Sequence, residues 1–66
     1  MKIYNIDVVE WFNLHHMGEV ARDFRLNLRM DVLDIGLLRL YLIRNYEIEY
    51  AISLFDEILR DIRILD

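Results

Sequence analysis

Sixty-six residues with no cysteine, no proline and a net charge of −4 describe a single small domain with no disulfide or thiolate metal site to staple it. An apolar fraction of 56% excludes a disordered chain, and the acidic balance argues against general affinity for nucleic acid. The opening "MKIYNIDVVE" lacks the basic and apolar regions of a signal peptide. The apolar-rich stretch from Val32 to Ile43 is shorter than the roughly 18 residues of a membrane span, so a cytoplasmic protein without membrane contact is expected, in keeping with the absent cysteine.

In chain order, "DVVEWFNLHHM" opens on Asp7 with Glu10 three residues later, an acidic relative of a capping box. Val8, Val9, Phe12, His15 and His16 share one side at helical spacing, and Gly18 is a natural stop. The spacing predicts helix 1 over about 7–17.

"EVARDFRLNLRM" supports two readings. As a helix it puts Ala21, Phe24 and Leu28 on one face and Arg22, Arg25 and Arg29 on another. As a strand it alternates apolar with polar residues from Phe24 to Val32. Helix formers outnumber β-branched residues, which favours the helix.

"DVLDIGLLRLYLIR" is the central puzzle. Asp31 is placed to cap a helix and Asp34 to stand at its third position. At 100° per residue the apolar side chains leave no wet arc, which is the pattern of a helix buried all round. Such a rod is expected at the centre of the fold and needs cover on every side. The final segment, "NYEIEYAISLFDEILRDIRILD", carries the clearest stripe: Ile48, Ala51, Ile52, Phe55, Ile58, Leu59, Ile62 and Leu65 at helical pitch. It predicts helix 4 over roughly 46–64.

Charge is uneven along the chain. Residues 21–45 carry five arginines against three acids, and residues 46–66 carry two arginines against six acids. A basic middle can pair with an acidic end within one chain or between two. The chain shows no sequence repeat.

Two segments resemble known families. "GEVARDFRLNLRMDVLDIGLL" resembles a helix-turn-helix, with "VARDF" as first helix, "RLN" as turn and "LRMDVLDIGLL" as second. The resemblance implies phosphate contacts from Arg22, Arg25 and Arg29. It departs from the pattern at Arg25, where the turn carries a small residue, and at Val32, one residue late. The second helix would also offer Asp31, Asp34 and leucines to the bases, which opposes recognition. "YAISLFDEIL" is similar to the second helix of a tetratricopeptide repeat, over ten residues.

Chemistry has little raw material. Adjacent His15 and His16 diverge by about 100° on a helix, so they do not chelate one ion, and Glu19 adds only a second ligand to His15. Ser53 is the only serine and has no histidine at a helical neighbour position to activate it. Asp7 with Glu10, and Asp31 with Asp34, are explained as helix caps before acid–base pairs.

These observations lead to an expected all-α fold, a compact three- to four-helix bundle in one domain, completed by homo-oligomerisation, a dimer first of all. The alternative is α+β with a central hairpin pairing residues 24–32 with 37–44. The expected function is that of a non-catalytic regulator or inhibitor, bacterial or viral in profile, with no metal or cofactor. Its contact residues are Trp11 and Tyr41 as aromatic anchors and Leu37, Leu40 and Leu54 as further interface positions. Arg22, Arg25 and Arg29 are the expected site for an acidic partner or nucleic acid.

Overall fold

The first residues to be fully removed from water lie far apart in sequence: Ile3 and Leu33 are both 0% exposed. A computed structural model describes residues 1–27 and 31–65, and in it these two side chains face each other across an antiparallel pair of short strands. The elements in order are β1 (Lys2–Tyr4), α1 (Asn5–Leu14), α2 (Gly18–Asn27), β2 (Val32–Asp34), α3 (Ile35–Asn45) and α4 (Ile48–Asp61). β1 and β2 pair with Lys2 opposite Asp34, Ile3 opposite Leu33 and Tyr4 opposite Val32. After α4 the chain returns to β1, where Leu65 donates its N–H to the Lys2 carbonyl at 2.7 Å.

The order is a βαα unit written twice. Adding 30 to a residue number in the first half gives its counterpart in the second: β1 starts at Lys2 and its partner spans Val32–Asp34, α1 starts at Asn5 and α3 at Ile35, α2 starts at Gly18 and α4 at Ile48. The residues before α1 and α3 share one backbone conformation, φ −72° and ψ 131° at Tyr4 and φ −72° and ψ 133° at Asp34. Asn5 N–H bonds the Asp31 carbonyl at 2.9 Å, and Ile35 N–H bonds the Met1 carbonyl at 3.0 Å. The two bonds are the same bond seen from each half. A pseudo-two-fold axis therefore passes through the Ile3–Leu33 pair.

The core follows the repeat. Leu33, Ile35, Leu38, Leu42, Ala51 and Leu54 are buried, and so are their counterparts Ile3, Asn5, Val8, Phe12, Ala21 and Phe24. Side chains at i, i+3 and i+7 on α1 and α3 face the strands, the spacing that puts them on one side of a helix. Between residues 1–27 and their counterparts only Glu19/Glu49 and Ala21/Ala51 are identical. The repeat lives in burial rather than in residue identity, so no sequence repeat is visible.

Several expectations are corrected here. Among the described residues there are four helices in a compact arrangement, in keeping with the expected helical bundle, and a short two-stranded antiparallel sheet that was not expected there. The hairpin expected at 24–32/37–44 is not formed: α2 runs to Asn27, residues 37–44 belong to α3, and the pairing is instead between residues 2–4 and 32–34. Residues 28–30, including Arg29, lie outside the described residues. "RLN" is part of α2 rather than a turn, and "VLD" is a strand rather than helix, which removes the helix-turn-helix. Two helical signals at 24–27 and 35–45 are separated by a strand because Leu33 finds a partner in Ile3, a contact no local window contains.

The capping expectations shift likewise. α1 begins at Asn5 after Tyr4, with no side-chain cap, so Asp7 lies in the first turn instead of opening the helix. Asp34, not Asp31, caps α3, its Oδ1 accepting the Gly36 N–H at 2.8 Å. Gly18 starts α2 rather than ending α1. His16 takes the positive φ of 59° that reverses the chain.

α3 is not a central rod. It is the counterpart of α1, buried through Ile35, Leu38 and Leu42 and open at Leu37 and Leu40. The chain still closes on itself. Its accessible surface of 4769 Å² for 8.1 kDa is near the roughly 4,500 Å² of a compact monomer, and its radius of gyration of 10.7 Å is near the expected value of about 11 Å. The buried core is formed by residues of one chain. What remains outside is specific side chains.

Candidate functional site

The repeat allows each outer position to be compared with its twin. On α1 the residues Asp7, Glu10, Trp11 and Leu14, with Asp61, Ile62 and Arg63, line a groove of about 340 Å³. On α3 the counterparts Leu37, Leu40, Tyr41 and Arg44, with Asp23, Phe24 and Asn45, line a groove of about 330 Å³. The geometry is shared and the chemistry is not. The first groove carries carboxylates where the second carries leucines, and a leucine where the second carries an arginine.

The second helix of each half repeats this contrast. Gly18, Arg22 and Arg25 on α2 stand where α4 has Ile48, Ile52 and Phe55. Arg22 and Arg25 are exposed, as expected. Ile48 and Ile52 are 51% and 52% exposed, and Phe55 is half-buried. Across these seven matched positions the first half has two large apolar side chains, Trp11 and Leu14, and the second has six. Elsewhere the first half exposes Tyr4 and Ile6, which border a separate groove with Arg25 and Asp31.

A continuous run of rings joins the two grooves through the core. His15 stacks on Trp11 at 3.7 Å, Trp11 meets Phe12 edge-on at 5.3 Å, Phe12 stacks with Phe24 at 5.6 Å, and Phe24 meets Tyr41 at 4.6 Å. The last three are separations at which aromatic pairs gain beyond simple burial. Those three contacts connect position 11 to its twin, position 41. Burial, and then the Asp23 carboxylate beside it, pushes the Tyr41 hydroxyl above its ordinary pKa. Burial, followed by Tyr50 and Asp23, does the same for Tyr46.

The expected site residues divide. Leu37 and Leu40 are 46% and 44% exposed and share the α3 groove with half-buried Tyr41. Trp11 and Leu54 are 5% and 6% exposed and belong to the chain's own core. The last turn of α4 brings Asp61 to the Trp11 indole N–H. Ile48 and Ile52, assigned from sequence to the buried stripe of α4, are outside it. The twin positions 18 and 22 carry Gly and Arg, a signal that becomes readable only once the repeat is known.

Catalytic material is dispersed. Ser53 is exposed on α4. His15 donates Nδ1–H to the Trp11 carbonyl at 2.8 Å while its face lies on the indole, a structural role. Among the described residues no three His, Asp or Glu side chains gather in a way that would hold a metal ion, and no helix is long and apolar enough to cross a membrane. Comparison with protein-family models, with curated proteins and with solved structures gives no match.

Proposed function

We propose that this chain is a small non-catalytic interaction protein, a helical regulator or inhibitor that acts by binding another protein. The observation that supports the reading most directly is the asymmetry of the two halves. One backbone unit is used twice, and at matched outer positions the first copy presents Asp7, Glu10 and Arg22 while the second presents Leu37, Leu40 and Ile52. The shared scaffold places no burial demand on these positions, since the first half keeps them charged. Leucine and isoleucine there are matched to removal from water by a protein surface. Tyr41, between the leucines, supplies the aromatic anchor that such surfaces favour.

The test uses the full chain as bait against lysates of plausible hosts, beside a Leu37→Glu/Leu40→Glu variant. Both substitutions are at exposed sites, so the bait stays folded. A protein retained in comparable molar amount by the wild type and lost by the variant supports the reading. Equal retention by both, or nothing retained across hosts, overturns it. Steeply salt-dependent binding to random-sequence DNA that disappears in Arg22→Glu/Arg25→Glu would move the function to nucleic acid.

A further inference from the structure

We infer that the outer edge of β2 is closed by the outer edge of β2 in a second copy, the two strands running antiparallel with Val32 opposite Val32. The bonds that join β1 to β2 fix which backbone groups are left over. Asn5 N–H reaches the Asp31 carbonyl, Ile35 N–H reaches the Met1 carbonyl, and Ile3 stands opposite Leu33 between them. An antiparallel ladder alternates, so Lys2, Tyr4, Val32 and Asp34 turn their N–H and C=O away from the opposing strand. On β1 this outward pair is used: Lys2 exchanges both bonds with Leu65, at 3.5 and 2.7 Å. The twin of Lys2 is Val32, and the sheet ends there, with no partner for its outward groups among the described residues. Asp34 gives its carbonyl to the first turn of α3, so on β2 Val32 alone offers both groups.

Three observations point to a second copy as the occupant. A two-fold axis at Val32 is the register in which each copy satisfies both open groups of the other, as Leu65 does for Lys2. The incoming strand is already held extended in its own sheet, so it loses less freedom on pairing than a free peptide would. The acids beside the edge are matched within each copy: Lys2 stands directly opposite Asp34, and Arg25 lines one groove with Asp31. Both aspartates are exposed, which places the edge at the surface. The resulting sheet runs β1–β2–β2–β1. Its far edges, at Lys2, are already taken by Leu65, so the assembly stops at two copies instead of growing into a fibre. The contact uses no residue of the groove at Leu37 and Leu40 and is independent of the interaction reading above.

The experiment removes one backbone group. Val32→Pro deletes the outward N–H and leaves the β1–β2 ladder, which does not use it, in place. Val32→Thr keeps the backbone groups and the β-branched shape. Sedimentation of the wild type is expected to show the mass rising from 8.1 kDa toward twice that value as concentration approaches about 1 mM, the range of a small contact. Val32→Thr should follow the wild type. Val32→Pro loses both inter-copy bonds and should associate about tenfold or more weakly, with circular dichroism confirming that it is folded. A wild type that stays at 8.1 kDa throughout, or a folded Val32→Pro that associates equally well, overturns the inference. Amide hydrogen exchange on the wild type decides the matter even where the proline variant does not fold. Protection of the Val32 amide that grows with protein concentration supports the pairing, and protection independent of concentration overturns it.

Discussion

Trp11 and Tyr41 hold the same position in the two halves, and each gives its polar hydrogen to an aspartate, but to different ones. The Trp11 indole N–H reaches Asp61 at 2.8 Å, and the Tyr41 hydroxyl reaches Asp23 at 3.3 Å. Asp61 comes from the last turn of α4, and its carboxylate lies against the nearly buried indole. Tyr41 stays half-open between Leu37 and Leu40.

Asp61 is expected to matter for stability although it is exposed. Asp61→Ala leaves a nearly buried N–H without its acceptor, a loss of about 1–2 kcal/mol, while Asp61→Asn keeps an oxygen in place and costs less. Urea titrations of both variants check this. A cycle with Trp11→Phe isolates the bond, and additivity of the two single losses would mean that it contributes nothing.

Tyr41 and Tyr46 give stability a dependence on alkaline pH. Both have folded-state pKa values raised above 10.0, by burial first and then by Asp23 for Tyr41 and Tyr50 for Tyr46. A raised value in the native state means that the folded form disfavours the phenolate. Their contribution to stability is complete below the unfolded-state pKa near 10 and is lost as pH rises through the folded-state values. Thermal midpoints should fall above pH 10, and Asp23→Asn should bring the Tyr41 absorbance titration back toward its ordinary range. Unchanged titration in that variant would exclude Asp23 as a cause.

The start of α3 offers a coupled pair. Asp34→Ala removes the cap and should cost about 1 kcal/mol. Gly36→Ala should gain up to about 1 kcal/mol from helix propensity, but the new Cβ would sit 3.1 Å from Asp34 Oδ1. The alanine is therefore expected to help less in the wild type than in an Asp34→Ala background. Equal gains in both backgrounds would show that the cap tolerates the methyl group.

His16 carries the reversal between α1 and α2 at φ 59°. The left-handed region costs an ordinary L-residue roughly 1–2 kcal/mol, so His16→Gly should stabilise the fold by up to about 1 kcal/mol after the entropy of the extra glycine is subtracted. Chemical denaturation decides between this gain and a loss, and a loss would give the imidazole a structural role.

Truncation separates core from surface on a single helix. Leu42→Ala, at a fully buried site, is expected to cost about 2–5 kcal/mol and to leave so small a domain close to unfolding. Leu40→Ala, two residues earlier on the open side, should change monomer stability by less than about 0.5 kcal/mol. Comparable losses at the two sites would mean that α3 is enclosed on both sides.

Local signals in the sequence were enough to place α1 and α4 and to favour a helix for α2. α4 reads directly from Ala51, Ile58 and Ile62 at helical pitch, and α1 from Val8 and Phe12, because a 3.6-residue period is a property of one segment and needs no partner. Opposite charges on α3 and α4, and the lack of grouped nucleophiles or ligands, are also properties of composition and spacing. Tertiary structure alone decided the strands, the inner and outer sides of α3, and the division of the aromatics. β1 and β2 are three residues each, too short to show a period of two, and exist because Ile3 and Leu33, thirty positions apart, exclude water together. An all-apolar segment such as α3 contains no instruction about which side to bury. That choice was made by its tertiary neighbours, which bury Ile35, Leu38 and Leu42 and leave Leu37 and Leu40 open.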